Sequence, residues 1–241
     1  MPLALLTGGG SAIGQGITRA LAARGWTVAV TDIRLDLAQE VTRIAGGAPT
    51  TMALRLDATD RAQVNAVVEE LRESYGTIDA LVNAAGGMRG LGIAKSDFVD
   101  TTPELWARIL TVNFQSVLHC THAVLPGMIA ARRGAIVSIA ASRGLRGGPQ
   151  ASLYSAAKAA VIVFSQALAQ EVGPHGIRVN TIAPGSAEAR WKKSDAEAER
   201  NPLQRATSAD DVGKAVAFLL SEDAAHITGT CLDVSGGTTL H

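Results

Sequence analysis

Short apolar runs alternate with longer amphipathic stretches along the whole chain. The runs 2–7, 27–31, 51–56, 80–82, 135–140, 178–182 and 230–234 carry the aliphatic and β-branched residues of buried strands. The stretches between them, 13–24, 35–44, 61–74, 103–131, 152–172 and 209–220, repeat apolar residues at helical spacing. Thr102 followed by Pro103, and Ser208 ahead of Asp210 and Asp211, are helix-start signals. Gly76 and Gly173 fall where helices should stop. Strand–helix alternation with continuously apolar strands predicts an α/β fold: a doubly wound parallel sheet of about seven strands, covered by helices on both faces. No Pro/Gly/Ser-rich linker or internal repeat divides residues 1–241, so one domain is expected. Ligands of such sheets bind at the carboxyl ends of the strands, where strand order reverses. The chemistry is therefore expected in the loops after the strands. The least regular pieces, 144–148 and 186–205, are expected to border it, the latter as a substrate loop.

Composition narrows the class. A chain of 241 residues that is 47% hydrophobic can bury a large core. Lys plus Arg and Asp plus Glu are equal at 22 each, which gives no electrostatic case for nucleic acid or an anionic membrane. Cys120 and Cys231 stand far apart, outside any C-x-x-C pair, as expected in a reducing cytoplasm. No signal peptide is visible, and no apolar run is expected to approach membrane-spanning length.

The first strand leads into Thr7-Gly8-Gly9-Gly10-Ser11-Ala12-Ile13-Gly14 and then a helix. A glycine-rich turn lets backbone N–H groups approach a pyrophosphate, and the helix N-terminus adds a favourable dipole. Gly8, Gly10, Ser11 and Ile13 are the candidate contacts. The spacing is neither G-x-G-x-x-G nor a P-loop. Asp32 ends the second strand, 24 residues after Gly8. A carboxylate there accepts from ribose hydroxyls and repels a 2′-phosphate, which favours NAD; nearby Arg34 keeps NADP open.

Further motifs follow in order: Leu56-Asp57-Ala58-Thr59, Asn83-Ala84-Ala85-Gly86, Val112-Asn113, Tyr154-x-x-x-Lys158, Pro184-Gly185 and Ser235-Gly236-Gly237. Together they resemble the short-chain dehydrogenase/reductase family over nearly the whole chain. The resemblance implies a Rossmann-type domain and hydride transfer between NAD(P) and an alcohol or carbonyl. It further implies that Asp57 and Ala58 contact the adenine end, that Asn83 lies beside the cofactor, that Pro184 and Gly185 border it, and that Asn113 holds a water in a proton relay. A homotetramer or dimer, using helices 103–131 and 152–172, is implied as well.

The chemistry of the pair also follows from the residues. Tyr154 and Lys158 share a helix face. A free phenol titrates near 10, and an adjacent ammonium favours the phenolate. The pair therefore suits general acid–base transfer at a carbinol or carbonyl oxygen. Where the family has its substrate-orienting serine, thirteen residues before the tyrosine, this chain has Ala141. Ser142 follows immediately and is the replacement expected; Ser138 stands upstream. Ala189 occupies a position often threonine in the family, and Ser186 is its expected substitute.

Other features point less sharply to chemistry. His119 and His122 lie three apart on a helix but have no evident third ligand, so no metal is expected. Arg89, Arg143, Arg146 and Gln150 gather at the expected pocket rim, where guanidinium groups suit a polar or anionic substrate. A catalytically impaired dinucleotide sensor and an NADP-dependent ketone reductase are the alternatives to an NAD-linked enzyme of alcohols and ketones. A serine hydrolase would need a Gly-x-Ser-x-Gly elbow, which is missing.

Overall fold

The computed structural model of the chain describes residues 1–46, 51–88, 91–185 and 201–239. The calls on Arg89, Ser186, Ala189 and most of the 186–205 loop therefore lie outside the described residues. Strands β1 (Leu3–Thr7), β2 (Thr27–Asp32), β3 (Thr51–Arg55), β4 (Ala80–Asn83), β5 (Gly134–Ile139), β6 (Ile177–Pro184) and β7 (Cys231–Val234) form one sheet in the order β3-β2-β1-β4-β5-β6-β7. Every pairing is parallel. The helices are α1 (Ala12–Ala22), α2 (Leu35–Ile44), α3 (Arg61–Tyr75), α4 (Pro103–Leu110), α5 (Ser116–Ala131), α6 (Ser142–Arg146), α7 (Ser152–Val172) and α8 (Ala209–Leu220).

The strands are apolar throughout because both sheet faces are covered. Leu3 and Leu5 of β1 pack with Val64 and Leu71 of α3, Val124 of α5 and Leu168 of α7. Ala4 and Leu6, one residue out of phase, pack with Ile17 and Leu21 of α1, Val41 of α2 and Val216 of α8. Strand order reverses between β1 and β4, which opens a crevice at their carboxyl ends. Thr7, Asp32, Asn83, Ile139 and Pro184 all end their strands at that edge.

Some sequence expectations are corrected. The single helix over 103–131 is broken by a π-helical turn, Thr111–Gln115. The Asn113 amide explains the break: its Nδ2 donates to the Ile109 carbonyl, competing for the acceptor that a regular helix gives to the backbone N–H of residue 113. Part of the 144–148 piece, expected to be irregular, belongs to α6, which ends at Gly147 with φ 71°. The stretch Ser152–His175, with mean hydropathy 1.3, is long and apolar enough to cross a membrane by length and composition alone. Its Val161, Ile162, Leu168 and Val172 are buried within the protein. The stop expected at Gly173 is gentler than a left-handed cap: a 3-10 turn Gly173–His175 follows, and Gly176 takes φ 74°.

The helix starts behave as read. Thr102 accepts from Leu105 N at 3.4 Å. Ser208 and Asp211 form a reciprocal capping box. Ser208→Ala is expected to cost about 1 kcal/mol of stability, measurable as a lower denaturation midpoint at unchanged m-value in urea.

Candidate active site

The glycine turn after β1 lies on the loop after β4. Gly8 has φ 63°, and a Cβ there would meet Ala85 N and Cα at 2.7 Å, so only glycine allows this approach. Thr7 fixes the same junction, its Oγ1 accepting from Ala84 N and Ala85 N at 3.2 Å. Ser11 caps α1: its Oγ accepts from Gly14 N at 3.0 Å and donates to Gly8 O at 2.8 Å. Its hydroxyl is thus committed to the turn. The N–H groups of Ala12 and Ile13 open α1 with no preceding helical turn to receive them. They and the helix dipole make a cradle for an anion. Gly10 N donates to Asp32 Oδ2 and Arg34 N to Asp32 Oδ1, each at 3.0 Å, so the turn and the end of β2 orient one carboxylate. Arg34 pairs in turn with Asp36, Nη2 to Oδ2 at 2.6 Å. Hydrogen bonding to that guanidinium and its charge hold the exposed Asp36 carboxyl below its ordinary range.

Other cofactor candidates are placed less simply. Asp57 Oδ1 accepts from Thr59 N and Oγ1, so this oxygen braces its own turn, with Ala58 buried beside it. Pro184 ends β6, and Gly185 N donates to Val234 O at 3.1 Å. Asn83 turns its side chain inward, Nδ2 donating to Thr121 Oγ1 at 3.3 Å and Ser138 Oγ at 3.2 Å. Its Nδ2 is thus engaged within the sheet, while its backbone ends β4 at the crevice edge. Ser138 is thereby spent inside β5, at 1% exposure, which removes it as a substrate serine.

The α7 side of the crevice carries Tyr154 and Lys158. Lys158 is buried, and its Nζ donates to Ile139 O at the end of β5 at 2.8 Å. Asn113 Oδ1 accepts from Gly87 N at 2.7 Å. A Cβ on Gly86 would stand 2.8 Å from Asn113 Oδ1 and 3.2 Å from Lys158 Nζ, so this bare backbone brings the two side chains to one place. Ser142 opens α6, and Gly144 seats that helix on α7: a Cβ there would meet Lys158 C at 2.9 Å. Gly86 stood in a quoted motif and Gly144 in a piece expected to border the site, but neither their packing roles nor the Ile139 carbonyl was read from the sequence. A backbone acceptor leaves no residue-type signal, and a packing glycine looks like any loop glycine.

The electrostatics also differ from expectation. Burial pushes the Tyr154 phenol above its ordinary value, and the Arg143 guanidinium pulls it back. Lys158 Nζ lies 5.9 Å from the Tyr154 ring centroid, bonded elsewhere, and burial pushes the amine itself down from 10.5 to about 8. Among the described residues no group of three or more His, Cys, Asp or Glu side chains is placed to hold a metal.

A buried lysine costs stability wherever it must be charged. Below pH 8 both folded and unfolded chains hold the proton, and the folded state bears the full desolvation cost. Between pH 8 and 10.5 the unfolded chain holds a proton that the folded one has released, so stability from this group rises with pH. In the dinucleotide-free protein, Lys158→Met should raise stability at pH 7 by up to about 3 kcal/mol. The gain should vanish toward pH 10.5, which thermal denaturation across that range checks.

Comparison with known proteins agrees with this geometry. A family model described as enoyl-(acyl carrier protein) reductase matches residues 8–239. The chain is 37% identical to 3-oxoacyl-[acyl-carrier-protein] reductase FabG of Escherichia coli (strain K12), over 98% of this chain and 96% of that protein. It is 33% identical to the FabG reductase of Thermotoga maritima, over 98% and 97%. The crystal structure of 3-ketoacyl-(acyl-carrier-protein) reductase from Brucella melitensis complexed with NADH superposes with TM-score 0.91 at 30% identity, covering 99% of this chain and 98% of that one. The chain belongs to the short-chain dehydrogenase/reductase family of Rossmann-fold oxidoreductases.

Proposed function

We propose that this chain is an NAD(H)-linked reductase of a ketone carbonyl, working in reverse on the secondary alcohol. The observation that carries the reading is the meeting of Lys158 and Asn113 beside Gly86, with the Tyr154 ring 5.9 Å from Lys158 Nζ, at the edge where the Gly8–Ile13 cradle and the Asp32 carboxylate also stand. When bound, the nicotinamide supplies or accepts the hydride. The amides of Ala12 and Ile13 hold the pyrophosphate, and Asp32 accepts from the ribose hydroxyls. Tyr154 Oη gives its proton to the carbonyl oxygen in reduction and takes it from the carbinol in oxidation. Lys158 holds the nicotinamide ribose and, with Asn113, passes the proton onward through water. Ser142, at the mouth of α6, orients the substrate oxygen.

NAD is favoured over NADP because a 2′-phosphate would meet the Asp32 carboxylate, while Arg34 is engaged by Asp36. That exposed ion pair is cheap to break, so Asp32 carries the preference. The names of the relatives support a 3-oxoacyl thioester as the first substrate to try. A second copy against α4, α5 and α7 completes the proposed assembly.

The test follows NADH and NADPH consumption with an acetoacetyl thioester and a panel of simple ketones. NADH turnover on at least one is expected, with Tyr154→Phe lowering kcat by about 10²–10⁴-fold. Undiminished turnover in Tyr154→Phe would refute the mechanism. Tight NADH binding without turnover anywhere would favour a sensor. Asp32→Ser should narrow the NADH-over-NADPH preference in kcat/KM at least tenfold, about 1.4 kcal/mol.

A further inference from the structure

Where β2 runs into α2, Arg34 bonds to the carboxylates on both sides of it, Asp32 and Asp36. Its backbone N–H donates to Asp32 Oδ1 at 3.0 Å. Its guanidinium lies on Asp36, Nε to Oδ1 at 3.3 Å and Nη2 to Oδ2 at 2.6 Å. In dinucleotide sites an arginine beside the ribose-binding acid accommodates a 2′-phosphate. Here the planar fork that would serve a phosphate is already matched to a carboxylate. Asp36 is fixed from its own side too. It is the acidic residue in the first turn of α2, whose N-cap Arg34 provides no side-chain cap, so the positive end of the helix favours the anion. The pair is also open to solvent and to a ligand, with side chains 63% and 64% exposed.

We infer that Asp36 is a second, weaker specificity-determining residue for the dinucleotide: it acts through Arg34, keeping that guanidinium from a 2′-phosphate. The inference rests on the proposed reading of Asp32 as the acceptor of the ribose hydroxyls. The two carboxylates work by separate routes. Asp32 repels the 2′-phosphate directly, whereas Asp36 withholds the cation that would receive it. Removing Asp32 alone therefore leaves NADPH without its bidentate partner. An exposed ion pair contributes little, so the effect of Asp36 is severalfold and smaller than that of Asp32. Arg55 is the rival cation at this corner: it is the cross-strand partner of Asp32, and it is exposed.

Equilibrium fluorescence titrations with NADPH and with NADH test this without turnover. Against an Asp32→Ser background, adding Asp36→Ala should tighten NADPH binding about threefold at low ionic strength. The NADH Kd should stay where it was, because no 2′-phosphate is there to meet Arg34. Adding Arg34→Gln as a third change should abolish the gain, and raised salt should shrink it. An NADPH Kd unmoved by Asp36→Ala overturns the inference. So does a gain that survives Arg34→Gln, since Arg55 or the mere loss of negative charge would then be its cause. Equal tightening of NADH and NADPH overturns it as well. If Asp32→Ser by itself leaves the ratio of the two Kd values unchanged, the ribose reading of Asp32 fails, and the inference falls with it.

Discussion

The hydrogen bond from Lys158 Nζ to the Ile139 carbonyl joins α7 to the centre of the sheet. A charged amine taken out of water needs such an acceptor, and the carbonyl ending β5 is within its reach. The bond ties α7 to β5, and with it Tyr154, one turn earlier on the same helix. Gly86 passes next to the same Nζ with no side chain of its own, so the β4 loop can close over it. Asn113 is then drawn in from the other side, at the cost of a regular helix between α4 and α5. Four segments far apart in sequence are held to one point by that requirement.

The crevice has two halves with different physics. On the α1 side the groups are backbone amides and one oriented carboxylate, a set of fixed dipoles that need no charge change to work. Ser11 and Thr7 spend their hydroxyls on keeping that turn in place. On the α7 side the groups titrate, and burial moves both away from their solution values: the phenol up, the amine down. Those directions oppose easy proton exchange and easy charging alike. A site that is costly when empty is the usual condition of a preorganised one.

Periodicity alone placed the strands and most helices within a residue or two, because an apolar strand between two helical layers has few alternatives. It failed at the α4–α5 junction, where a side-chain amide competes with the backbone for a carbonyl. The helical spacing of apolar residues continues through that competition undisturbed. Legible too were the Ser208 capping box, the Gly8 turn and the Tyr154–Lys158 spacing, since each depends on residues within a few positions of one another.

What the chain sequence determined by itself was local: strand and helix identity, the anion cradle, the acidic residue ending β2, and a phenol and an amine on one helix face. Only the tertiary structure decided that Asn83 turns inward, that Ser138 is spent on it, and that the lysine bonds a backbone carbonyl. The reason is that hydrogen-bond partners and charge environments are set by approaches across the sheet, between residues tens of positions apart, and backbone acceptors leave no mark in the order of side chains.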